Sequence, residues 1–404
     1  MDRAEKETLL KILLEYEKVV KFKLSTFMGI VTVALSNVSV IKPFQEKLET
    51  ISSVKNVLND KRIKVFDSSS YVDPSTTARN ILLNIACKGA RNTFDKITEL
   101  IENNGGKYYY INTLSGVVFD KHYVIDKDIE LVNRDEFPKE LLVDLNNSIG
   151  NEYRYELGGP INRCFAGLLY TGTFNIEEVS KDEEDTISTD SISYKISKKM
   201  NLIALLIPLL SGRPCHQLHI KSYLDKNVLL WAGEGSAKAL PEFNIITCNK
   251  ISMDENKMEQ YLSYLLNSDE NKRQFIEERL RHYNIARIRQ NDREQALELR
   301  LLIEMLLLNG ENSGEISETI SLRGSWLLGK TVDERRTYYT ILKKAYSLSS
   351  SAVHGNYKEK AVNKKIIEDF FDICKKILIT FMESSFIPRT RIEWQTVVLG
   401  GLAK

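Results

Sequence analysis

Four consecutive residues, Asn103, Asn104, Gly105 and Gly106, separate two kinds of apolar pattern in this 404-residue chain. Before them, Leu9, Leu10, Leu13, Leu14 and Tyr16, then the runs 44–58 and 78–101, repeat at three- and four-residue steps, the period of helices with one buried face. Asn and Gly then supply the backbone freedom that stops a helix. Beyond them KYYYIN, GVVFDKHYVI, CFAGLLYTGTF, HQLHIKSYL and NVLLWAG are rich in aromatic and branched residues and are broken by turn residues, which predicts strands. Residues 197–210 read as one helix with a proline near its end, and from Met253 the helical period holds almost throughout, with a loop at 309–314.

The last long helix, 362–384, carries Ile366, Ile367, Phe370, Phe371, Cys374, Ile377, Leu378 and Phe381 as a wide apolar stripe. Such a stripe is more than one neighbouring helix would cover, which predicts a symmetric dimer through the last helices. The expected fold is α+β and mainly α: a helical region over 1–105, a mixed strand-rich region over 106–252, a helical domain over 253–390 and a C-terminal tail over 391–404. No internal repeat is visible.

Lys and Arg number 56 against 55 Asp and Glu, a formal net charge of +1, so attraction for a nucleic acid has to be local. Five widely spaced cysteines, an odd number, favour reduced thiols in a cytoplasm over a disulfide framework. The apolar runs 27–40 and 202–210 are interrupted and fall short of the roughly 20 residues that span a bilayer. These features predict a soluble cytoplasmic protein with no membrane partner. The acidic, Ser/Thr-rich stretch 175–193 reads as an exposed loop or linker.

One histidine stands out. Tyr338, Ile341, Leu342, Ala345 and Leu348 form a helical stripe that Gly355 ends, which places His354 in the last turn. Unpaired carbonyls at the negative end of a helix dipole favour a protonated imidazole, which suits a group that takes and gives a proton. A cap or surface residue is the plainer role for a lone histidine near a helix end.

The segment LRGSWLLGKTVDERRTYYTILKKAYSLSSSAVHG, preceded by ERLRHYNIARIRQNDREQALELRLLIEMLLL, resembles a HEPN (higher eukaryotes and prokaryotes nucleotide-binding) domain of the Apea-like branch, over about residues 255–385. The resemblance implies a metal-independent endoribonuclease without cofactor, of the kind found in toxin and phage-defence systems. Its implied partners are RNA, a second copy that completes the site, and a regulatory protein or phage-derived trigger. By position His354 is the motif histidine and Ser350 the polar residue, with Glu304, Tyr346 and Asn356 in support. The motif arginine falls on Ser349, and a hydroxyl cannot supply the fixed positive fork that holds a phosphate. Either this copy is weak or silent and serves as an RNA-binding or dimerisation module, or a neighbouring cation such as Arg323, Arg335 or Arg336 takes over, or Ser349 is an introduced change.

Three other clusters carry residue types suited to binding. Arg279, Arg281, His282, Arg287, Arg289 and Arg293, with Tyr283 among them, can grip a phosphate backbone and stack a base, or form a solvated face neutralised by Glu277, Glu278, Asp292 and Glu294. Cys215, His216 and His219 are the nearest approach to a metal set, with only Cys248 and the distant His122 to complete it, so a strand next to a turn is the expectation. Gly233, Gly235 and Lys238 lack the full phosphate-loop pattern and read as a turn between strands.

Overall fold

The computed structural model describes residues 1–21, 38–58, 62–65, 68–71, 73–137, 165–176, 192–224, 236–238, 248–308, 315–355, 357–358, 361–384 and 386–399. Five helices open the chain: α1 (Arg3–Lys21), α2 (Val38–Leu48), α3 (Ser52–Leu58), α4 (Pro74–Lys88) and α5 (Ala90–Asn103). They close around Leu9, Leu13, Phe44, Leu48, Leu82 and Ile85, each 0% exposed. The Asp73 carboxylate accepts the Thr76 N–H at 2.8 Å and Pro74 takes the first helical position, so α4 starts where its sequence dictates. At the other corner Asn104 adopts φ 48 and its N–H bonds back to the carbonyls of Ile101 and Leu100. Strand β3 (Gly105–Ser115) begins at the next residue, so the Asn-Asn-Gly-Gly signal is a direct helix-to-strand corner.

β3 is the spine of the sheet. It pairs antiparallel along its whole length with β7 (Phe165–Ile176) and on its other edge with β8 (His216–Leu224). The outer edge of β7 carries β6 (Ile129–Asn133), which pairs with β5 (Tyr123–Asp126), and also β1 (Arg62–Val65), which pairs with β2 (Ser68–Tyr71). β9 (Ser236–Lys238) lies beside β8, and β10 (Asn249–Ile251) runs parallel to β4 (Val117–Phe119). The strands β1 and β2 fall inside the region read as helical; at four residues each they are too short to impose a period. The NVLLWAG segment lies outside the described residues, as does most of the acidic stretch 175–193.

One core continues from this sheet into the C-terminal helices. Leu114, Leu131 and Leu168 share it with Met200, Ile203 and Leu206 of α6 (Ile192–Ser211) and with Tyr261 and Leu265 of α7 (Glu255–Asn267). The helices that follow are α8 (Glu270–Ile288), α9 (Asp292–Leu307), α10 (Ile316–Leu328), α11 (Val332–Val353), α12 (Ala361–Glu383) and α13 (Arg391–Val398). Asp269, Asn291, Thr331 and Thr390 cap α8, α9, α11 and α13 with side-chain oxygens, the last two through capping boxes with Glu334 and Glu393.

The stripe on α12 has a different fate from the one its width predicts. Ile367, Phe370, Phe371, Cys374, Ile377, Leu378 and Phe381 are 0–2% exposed in the single chain, because α8, α9, α10 and α11 all pack against α12. The neighbours of one protomer cover it, and a dimer through that face is not needed. Residues 391–398, read as part of a tail, form α13 and bury Trp394 against the bundle. Among the described residues no helix is long and apolar enough to cross a membrane.

Candidate functional site

Helix α11 buries Leu342, Ala345, Tyr346, Ser349 and Ala352. Its last N–H···O contact runs from the His354 N–H to the Ser350 carbonyl at 3.1 Å, and Gly355 turns the chain away with φ 75. His354 is exposed and Ser350 half-buried. Four residues apart, they sit about 40° from each other around the helix, so the structure brings these two together. Ser349 is not with them. It is 0% exposed, about 140° round the helix from His354, and its hydroxyl donates to the Tyr346 carbonyl at 2.8 Å. A guanidinium at 349 would not lie beside His354 on this geometry, since the position faces the core. Asn356 lies outside the described residues.

Glu304 and Tyr346 meet directly. The Tyr346 hydroxyl donates to Glu304 Oε1 at 2.7 Å, Arg300 Nε donates to the same oxygen at 2.9 Å, and the Arg300 guanidinium lies 4.8 Å from the Tyr346 ring centre. Burial and the Glu304 acceptor push the Tyr346 hydroxyl up to about 12. This contact joins the C-terminal third of α11 to α9, less than two turns from the helix end.

The arginines singled out in the sequence mostly do another job. Arg279, 4% exposed, donates from Nε and Nη2 to the Met305 carbonyl at 3.1 and 2.8 Å with its guanidinium 3.3 Å from the Phe275 ring centre. Arg323, 6% exposed, donates to the Leu307 carbonyl at 2.7 Å beneath Trp394. Together they close the carbonyl end of α9. Arg335 does the same for α10, donating to the Gly329 carbonyl at 3.0 Å while stacked on Trp326.

Arg287 is pressed onto Phe371 at 3.7 Å and pairs with Glu368 at 3.1 Å, and Arg289 bonds Glu298 at 3.0 Å. Arg281 and Arg336 are exposed and face Glu277 at 3.5 Å and Asp333 at 3.7 Å. Arg335 and Arg336 belong to the first turn of α11, roughly 27 Å or more along the helix from His354. None of the three cations offered as substitutes for Ser349 is therefore at the histidine. Arg293, a member of the same arginine cluster, is brought by the fold to the end of α11. It is exposed, and its Nη2 donates to the Ala352 carbonyl at 3.2 Å, two residues before His354.

Cys215 is 2% exposed, and burial pushes its thiol up. Its backbone is held by the Asn284 side chain, which accepts its N–H at 3.2 Å and donates to its carbonyl. His122 pairs with Glu130 at 3.1 Å, and among the described residues no three His, Cys, Asp or Glu side chains gather as a metal set. Lys238 lies in strand β9, while Gly233 and Gly235 lie outside the described residues. No protein-family model, no curated protein and no solved structure matches this chain.

Proposed function

We propose that this chain is a cytoplasmic RNA-cleaving protein of the HEPN kind that works without a metal, with His354 as the group that moves the proton. The observation that carries the reading is the end of α11, where an exposed histidine shares a face with Ser350 while Tyr346 is tied to Glu304 at 2.7 Å. A proton-transfer group needs access to substrate and a rigid mount. In the proposed step His354 takes the proton of a ribose 2′-hydroxyl, and the freed oxygen attacks the adjacent phosphorus. The bond to the 5′-oxygen breaks, that oxygen regains a proton, and a 2′,3′-cyclic phosphate is left. Ser350 orients a phosphate oxygen.

A second copy, a regulatory protein and a phage-derived trigger enter this proposal through the resemblance alone. With the α12 stripe covered, Val353, 51% exposed and next to His354, is an apolar side chain available for a contact between copies. Purified protein incubated with total RNA in excess chelator should yield cyclic-phosphate ends, and His354→Ala should abolish them with the fold intact. Cleavage that needs added magnesium, or that is undiminished in the alanine variant, would place the activity elsewhere. The buried Ser349 favours a second reading, a silent RNA-binding module, whose signature is RNA binding by the wild type without cleavage.

A further inference from the structure

We infer that Arg293 of α9, and not any residue of α11 itself, is the phosphate-holding cation beside His354; this rests on the reading of His354 as the proton-transfer group. The carbonyl end of a helix carries partial negative charge, which works against a phosphate approaching there. A phosphate settles at His354 only if a cation offsets that charge from outside the helix. Position 349 cannot hold one, being 0% exposed and turned inward. Arg300 is engaged by Glu304 at 2.9 Å and Arg289 by Glu298 at 3.0 Å.

Arg293 meets the requirement in three ways. Its Nη2 bond to the Ala352 carbonyl covers one of the terminal acceptors and fixes the guanidinium two residues from His354. A guanidinium has five N–H donors, so one carbonyl bond leaves enough for a two-pronged grip on phosphate oxygens. Of the exposed arginines on α8, α9 and α11, Arg281 and Arg336 each pair with a carboxylate, whereas Arg293 bonds none among the described residues. The two helices that Glu304 and Tyr346 hold together thus each supply one half of the site: a proton-transfer group from α11 and a charge from α9.

The test uses the full chain and inorganic phosphate at constant ionic strength, followed by the NMR signals of the His354 ring. Phosphate should shift the His354 signals saturably in the wild type, Arg293→Ala should weaken that response at least tenfold, and Arg293→Lys should fall between the two. A wild-type histidine that ignores phosphate, or an equal response in Arg293→Ala, overturns the assignment. The same variants are assayed on RNA in chelator. Cleavage lost in His354→Ala but unchanged in Arg293→Ala refutes the role of Arg293 and leaves the nuclease standing. An Arg293-dependent phosphate response without any cleavage supports the anion site and removes the nuclease.

Discussion

The carbonyl ends of α9 and α11 are both met by arginine, but in opposite surroundings. At the end of α9, Arg279 and Arg323 are nearly sealed from solvent, pressed against Phe275 and Trp394, and spend their donors on Met305 and Leu307. At the end of α11, Arg293 is exposed and touches Ala352 through one nitrogen, with an exposed histidine two residues further along the chain. The same guanidinium-to-carbonyl bond is a closure in one place and an anchor in the other. What distinguishes them is burial and the number of N–H groups left over, so an arginine-rich segment is not by that fact a nucleic-acid surface.

Ser349→Arg sharpens the contrast most. An unpaired guanidinium forced into a fully buried position should cost more than about 4 kcal/mol, read as a collapse of the urea midpoint, with no gain in cleavage. A stable, more active variant would mean that α11 is rotated from the arrangement described. Next in size is Arg323→Ala, which strands the Leu307 carbonyl and opens space under Trp394. A loss of about 2–4 kcal/mol is expected, with cleavage per folded molecule unchanged.

Tyr346→Phe should cost about 1 kcal/mol by removing the bond to Glu304. It also carries a pH signature. The Tyr346 hydroxyl sits at about 12 in the fold against an ordinary 10.0, so the folded state holds its proton more tightly. Its contribution is fully present below pH 10 and is lost as pH rises from there towards 12. Tyr261, also raised to about 12, adds to that loss. The difference between wild type and Tyr346→Phe isolates the Tyr346 share, and equal alkaline slopes would contradict the contact. Smallest of all, Arg293→Ala should leave the melting temperature unchanged, since an exposed anchor supports little of the fold.

Local pattern carried much of this structure. The stop at Asn104, the N-caps and the stripe of α12 are written in neighbouring residues, and so was the burial of Ser349, which falls in step with Leu342, Ala345 and Ala352. The roles of the arginines were not legible in this way. Arg279 and Arg323 find their carbonyls 26 and 16 residues away, and Arg293 finds Ala352 across 59. Such partners are set by how helices lie together, and charge counting along one helix cannot reveal them. The same limit explains the dimer expectation: the width of the α12 stripe is local, whereas the number of helices covering it is not.

The most direct measurement sets the two arginine-met ends side by side, recording RNA cleavage in excess chelator and melting temperature for His354→Ala, Arg293→Ala and Arg323→Ala. The expected result is a crossed pattern. The two changes at the open end of α11 abolish or sharply reduce cleavage at unchanged melting temperature, and Arg323→Ala lowers the melting temperature while each folded molecule cleaves as before. Cleavage untouched by His354→Ala, or lost per folded molecule in Arg323→Ala to the same degree, would contradict the assignment of function to one end and closure to the other.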